Sequence, residues 1–151
     1  MPMVNPSASV RLVTNTIVSN DPAIDIANVG DNAALVDEPL NLASGPPGVA
    51  TIITDRPGNL VVQSRCSAAQ LLVTNESFYP GWMALLDGDE TKLIRVNGDF
   101  MGVLAPAGRH EIRLEFRPES LRIGRLLSCF GLGLLVVTFL LGCVVIRPSI
   151  D

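Results

Sequence analysis

The sequence predicts a mainly β protein, an antiparallel β-sandwich of jelly-roll type followed by one C-terminal transmembrane α-helix. Three observations predict it. From Gly48 to Pro118, short apolar runs are punctuated by turn residues; the last of these runs alternates apolar and charged positions; and Leu126 to Ile146 carries no charged side chain at all.

The first forty-eight residues are the least patterned. Val10 to Val18 has the β-branched content of a strand. Asp21-Pro22 predicts a short helix through Val29, with Asp21 as N-cap, Pro22 at the first helical position and Gly30 as terminator. Ala33 to Val36 reads as another strand, and Asn41 to Gly48, with two adjacent prolines and two glycines, as a loop. Beyond it, Val49 to Thr54 and Leu60 to Ser64 flank Pro57-Gly58 and form a hairpin. Gln70 to Thr74 supplies a strand. Trp82 to Leu86 and Lys92 to Val96 flank Asp87-Gly88-Asp89-Glu90, Asn97-Gly98 reverses the chain into Phe100 to Leu104, and Pro106-Ala107-Gly108 turns it again. In the final strand Ile112, Leu114 and Phe116 alternate with Glu111, Arg113, Glu115 and Arg117, which buries one face and leaves a ladder of charges on the other. About eight strands result.

Pro118 ends that strand, having no amide hydrogen to continue a ladder. The uncharged run then spans a little over 30 Å as a helix, the thickness of a bilayer's hydrocarbon core. Ser128 and Thr138 can bond back to their own helix, and Arg117, Arg122, Arg125 and Arg147 flank it as membrane-interface residues. The expected domains are 1–118 (β-sandwich), 119–147 (transmembrane helix and flanks) and 148–151 (short tail). Met1 to Val10 lacks a basic leader and an apolar core, so the C-terminal helix is expected to be the targeting element.

Chemistry is sparse. A net charge of −4 without a long basic run argues against nucleic acid. Cys129 and Cys143 lie about 21 Å apart along one helix and Cys66 stands alone, so no intrachain disulfide or cysteine zinc site is expected. Cys66 reads as a buried thiol. His110 is the single histidine and reads as a strand-edge hydrogen-bonding residue. Asp87, Asp89, Glu90 and Asp99 fit solvated turns and lack calcium-loop spacing. No nucleophile-elbow, phosphate-loop or dinucleotide glycine pattern occurs, and Asn75-Glu76-Ser77 is formally a glycosylation sequon. No catalytic residue, cofactor or metal is expected.

Tyr79-Pro80-Gly81-Trp82 has two readings. One is a rigid turn, with Pro fixing φ and Trp82 entering the core on the face of Ala84 and Leu86. The other makes Tyr79 and Trp82 a contact surface for a glycan or a partner, because flat sugar faces stack on aromatic rings.

Ser77-Phe78-Tyr79-Pro80-Gly81-Trp82-Met83-Ala84, followed by Asp87-Gly88, Asn97, Phe100, Val103, Pro106-Ala107-Gly108, His110 and Phe116-Arg117-Pro118, resembles the C-terminal region of the bacterial YfhO-family membrane proteins. The resemblance covers about residues 70 to 146. It implies a polytopic parent similar to glycosyltransferases that use lipid-linked sugar donors, connected with sugar decoration of envelope polymers, and a terminal β domain outside the cytoplasm. The family's many membrane spans and acidic loop residues have no counterpart in these 151 residues. The expectation is therefore a non-catalytic, membrane-anchored accessory β domain, either a terminal fragment of a polytopic protein or a free-standing descendant. Expected partners are the lipid bilayer, a polytopic membrane protein and envelope polysaccharide. The alternative is a membrane-tethered interaction or scaffold module unrelated to glycans. Arg109, Arg113, Arg117, Arg122 and Arg125 shortly before the uncharged run, against Arg147 after it, favour a cytoplasmic domain. Long domains translocate with little regard to charge, so the resemblance sets the expected orientation: cell membrane, single pass, β domain extracytoplasmic.

Overall fold

The computed structural model describes residues 10–43 and 45–118 and, beyond them, 120, 124, 127–135 and 138. The chain divides into two compact units, Met1–Arg117 and Pro118–Asp151. The first is mainly β. Its strands are β1 Val10–Val13, β2 Asn15–Val18, β3 Ala33–Val36, β4 Val49–Arg56, β5 Asn59–Cys66, β6 Gln70–Ser77, β7 Trp82–Leu86, β8 Asp89–Thr91, β9 Leu93–Val96, β10 Phe100–Ala105 and β11 Gly108–Phe116. A six-stranded sheet has the order β1-β6-β10-β9-β3-β2, and a five-stranded sheet the order β4-β5-β11-β7-β8.

The expected jelly roll is corrected by this order. A jelly roll builds two Greek keys from eight strands. Here the same-sheet hairpins β4–β5, β7–β8 and β9–β10 and a parallel β2–β3 pair organise the chain. The N-terminal run expected as one strand is two, broken at Thr14, where Asn32 supplies the missing partner: its Oδ1 accepts the Thr14 N–H at 3.1 Å and its Nδ2 donates to Thr14 Oγ1 at 2.7 Å. β1 and β2 occupy the two outer edges of one sheet, yet a single residue separates them. The sheet must therefore curl until its edges meet.

Curling gives the domain two cores. Between the sheets lie Leu12, Leu72, Met101 and Val103 of the larger sheet against Leu60, Val62, Ala84, Ile112 and Leu114 of the smaller. Inside the curl lie Val13, Ala34, Val36, Leu71, Val73 and Val96. At its tightest point Gly102 is obligatory for space: a Cβ there would sit 2.8 Å from Val96 Cγ1 and 3.1 Å from the Leu72 carbonyl oxygen.

Three local expectations are adjusted. The helix after Asp21 is one short turn, α1 Pro22–Asp25, continued by a 3-10 turn Ile26–Asn28. Asp21 makes no side-chain cap; Ser19 holds the start instead, its Oγ accepting from Asp21 N–H at 3.1 Å and donating to Asp25 at 2.6 Å. Residues 92–96 are not the hairpin partner of β7. Asp87 and Gly88 both take positive φ, 52° and 98°, which closes a two-residue turn into β8. Asp89-Glu90-Thr91 offers no apolar side chain to bury, and the chain then crosses to the other sheet, where Val96 enters the inner core.

Of the second unit, residues 127–135 are helical, and Thr138 Oγ1 donates back to the carbonyls of Leu134 and Leu135 at 3.1 and 2.9 Å. Among the described residues no helix is long and apolar enough to cross a membrane. The expected transmembrane helix falls largely outside the described residues; its described stretch of nine residues, about 14 Å, is too short to reach across a hydrocarbon core of about 30 Å.

Candidate functional site: an aromatic shelf at the end of the sandwich

The segment 78–81 carries the chain from β6 in one sheet to β7 in the other. It is held at both ends: Phe78 N–H donates to the Asp99 carbonyl at 2.6 Å, and Arg117 N–H donates to the Gly81 carbonyl at 2.6 Å. Gly81 takes φ +110°, and Trp82 N–H closes the turn on the Tyr79 carbonyl at 3.2 Å. Trp82 then opens β7 opposite Phe116 at the end of β11. The rings of Tyr79, Phe116 and Trp82 run in series, with centroids 6.3 Å and 5.4 Å apart and planes inclined by 55° and 49°.

These rings, with Gly58, Asn75, Glu76 and Ser77, line an open depression of about 430 Å³. Gly58 takes φ +74°, a backbone conformation that favours glycine, and it adds no side chain to the depression. Glu76 and Ser77 stand at the end of β6, and neither their side chains nor the Tyr79 hydroxyl has a hydrogen-bond or ionic partner among the described residues. The structure thus brings Tyr79 and Trp82 together and adds Phe116, Glu76 and Ser77, which the sequence reading had not joined to them. Tyr79 is 65% exposed. Trp82 lies on the face of Ala84 and Leu86 as expected, but it is half-buried at the margin of the inter-sheet core because the sandwich opens at this end.

Arg117 pairs with Glu115, extending the ladder in which Arg113 contacts Glu111 at 2.9 Å and Glu115 at 3.8 Å. Arg122, Arg125 and Arg147 lie outside the described residues. His110 makes the expected hydrogen bond and more: its Nδ1 stands 2.6 Å from Asp87 Oδ2, its Nε2 3.2 Å from the Ala107 carbonyl, and Asp87 Oδ1 accepts the Glu111 N–H at 2.8 Å. The pair clips the β7–β8 turn to β11. The hydrogen bond to Asp87 raises His110 above the ordinary histidine range, and the bond from His110, joined by that from Glu111, lowers Asp87. Cys66 is buried with Sγ 3.0 Å from the Pro106 carbonyl, and desolvation raises its pKa, which keeps it a thiol.

A larger open depression of about 510 Å³ lies by Ser19, Asp37, Arg95 and Gly98. Its chemistry is spent internally, since Arg95 pairs with Asp99 at 3.3 Å and covers the Phe78 ring at 5.7 Å. Among the described residues no group of three metal-ligating side chains converges.

Residues 50–128, just over half of the chain, match the family described as bacterial membrane protein YfhO. The chain belongs to this family. The matched stretch runs from β4 through the shelf and the His110–Asp87 clip to the start of the uncharged run. No individual curated protein and no solved structure matches the chain. YfhO membership makes this a β-rich domain of a bacterial membrane protein family.

Proposed function

We propose that this YfhO-family chain is the non-catalytic, membrane-anchored accessory β domain of an envelope glycosyltransferase system, with the β domain on the extracytoplasmic side. The observation that carries the anchoring is the helical stretch 127–135. Leu127, Phe130, Leu132, Leu134 and Leu135 are all 58% or more exposed, and at 3.6 residues per turn they cover more than half of its circumference. Water offers such a surface nothing; lipid solvates it. The family match supports membrane association, and the glycosyltransferase connection is what the resemblance to polytopic YfhO proteins implies.

The test is alkaline carbonate extraction of membranes carrying the full chain, followed by labelling of a Ser120→Cys variant in a Cys129→Ser, Cys143→Ser background with a membrane-impermeant maleimide. The chain is expected in the alkali-resistant pellet, released by detergent, and labelled from outside. Release by alkali contradicts the anchor. Labelling from the cytoplasmic face alone contradicts the orientation.

A further inference from the structure

The aromatic shelf has the two-sided chemistry that a sugar ring requires. A pyranose presents a flat face of C–H groups and a rim of hydroxyls. The shelf presents the rings of Tyr79, Phe116 and Trp82 beside the carboxylate of Glu76 and hydroxyl of Ser77, which have no partner among the described residues. We propose that it is a carbohydrate-binding site, in which a neutral pyranose unit lies against Tyr79 and its ring neighbours with its hydroxyls turned to Glu76 and Ser77. For the source of that sugar, an envelope polymer, the inference rests on the accessory-domain reading above.

Shape and charge both narrow the ligand. At about 430 Å³ the depression lies within the size range of small-molecule pockets, of roughly 300–1,000 Å³. It is open, so a polymer can continue past a bound ring in both directions. Glu76 repels phosphate, and the nearby Arg117 guanidinium is already engaged by Glu115, so the shelf is poorly matched to an anionic headgroup or a phosphorylated donor. A carboxylate accepting hydroxyl hydrogens forms charge-assisted bonds, the stronger class of hydrogen bond. Gly58 completes the site by leaving its floor without a side chain.

Trp82 is the only tryptophan in the chain, so its fluorescence reports this site alone. The full chain in detergent micelles is titrated with the neutral tetrasaccharides cellotetraose, maltotetraose and chitotetraose. A saturable Trp82 response in the millimolar range is expected with at least one. Tyr79→Ala, at an exposed position, should weaken binding about tenfold, the equivalent of one aromatic stacking contact. Glu76→Gln should weaken it about fivefold, one hydrogen bond's worth. Tyr79→Phe, which keeps the ring, should bind nearly as the parent does, and Arg109→Ala, away from the shelf, should be unchanged. Far-UV circular dichroism checks that each variant is folded. Absence of any response with all three sugars, or a response untouched by Tyr79→Ala, overturns the proposal. So does a Trp82 shift on transfer to phosphatidylglycerol nanodiscs that Tyr79→Ala abolishes while no sugar responds, which would assign the shelf to the bilayer. Carbonate extraction is read on the membranes from which the chain was solubilised: no sugar binding with the anchor intact refutes this inference alone, whereas sugar binding with no anchor refutes the accessory-domain reading.

Discussion

The core between the two sheets and the core inside the curled sheet draw on the same strands and are closed in different ways. On β6, Leu72 faces the opposite sheet while its neighbours Leu71 and Val73 face into the curl. The inter-sheet core is bounded by two separate surfaces and takes Leu, Ile and Met side chains beside its Val and Ala residues. The inner core is bounded by one sheet bent on itself, and apart from Leu71 it takes only Val and Ala. A tight radius leaves little volume. Curvature, as much as hydrophobicity, thus selects the side chains. Both cores carry half-buried apolar residues at their margins, Leu40, Leu42 and Ile94 at the inner one and Ile52, Phe78, Trp82, Leu86 and Leu93 among those at the other, but a single curled sheet can tighten around a hole more readily than two sheets held by separate ladders.

Truncations on β6 break or sharpen this contrast. Leu72→Ala should cost about 4–5 kcal/mol, near the upper limit for a buried leucine, because the flanking sheets cannot close on the hole. Leu71→Ala should cost about 3 kcal/mol, its surroundings collapsing part of the way. Urea unfolding of the full chain in detergent, followed by Trp82 fluorescence, measures both, and equal costs would remove the distinction. Gly102→Ala tests the curvature itself: the added methyl crowds Val96 and the Leu72 carbonyl, and a loss of about 2 kcal/mol is expected. Trp82→Ala, followed by circular dichroism, should also cost about 2 kcal/mol, below the 3–5 typical of a fully buried aromatic.

The smallest effect belongs to the His110–Asp87 clip, outside both cores. His110 is raised by its partner, so its contribution is complete below the ordinary histidine pKa of about 6.5 and fades as pH rises through the raised value. Asp87 is lowered, so its contribution is complete above about 3.9 and fades as pH falls through the lowered value. Stability should therefore decline slightly from pH 6 to 8, and His110→Gln should flatten that slope. An unchanged slope in the variant would show that the clip does not titrate with folding.

The same contrast governs what could be read from residues alone. β11 was legible because it has one wet face: Ile112 and Leu114 are buried, and Glu111, Arg113 and Arg117 alternate with them in the expected ladder. The Pro57-Gly58 and Asn97-Gly98 turns were legible because the positive φ of Gly58, Asn97 and Gly98 favours those residues, whereas Asp87-Gly88 read only as part of a longer connection to 92–96. β6 was legible as a strand but not as the wall of two cores, since Leu71-Leu72-Val73 is buried throughout and carries no alternation, and β3, buried throughout at Ala33-Ala34-Leu35-Val36, likewise hid which face meets the inner core. The break at Thr14 gave no signal, because its partner Asn32 is distant in sequence. Gln70 also escaped notice: fully buried, it fixes the 46–48 loop through bonds of 2.8 Å to the Gly48 N–H and the Pro46 carbonyl. At the shelf, Tyr79 and Trp82 were visible as a local motif. Phe116, Glu76 and Ser77 join them only through strand register, which no local pattern encodes.

The meeting of β1 and β2 across Thr14 sets the order in which the domain can assemble. β1 pairs with β6, about sixty residues later, and β3, which carries β2, pairs with β9 at a similar distance. During synthesis these first strands emerge long before either partner exists, and they cannot dock until residues 70–96 have followed. Loop closure of that length is slow, and unpaired strands are prone to wrong partners while they wait. The N-terminal segment therefore locks late, as the latch that joins the two edges of the curled sheet. Its arrival, more than the collapse of the sheets onto each other, should set the pace at which this domain matures.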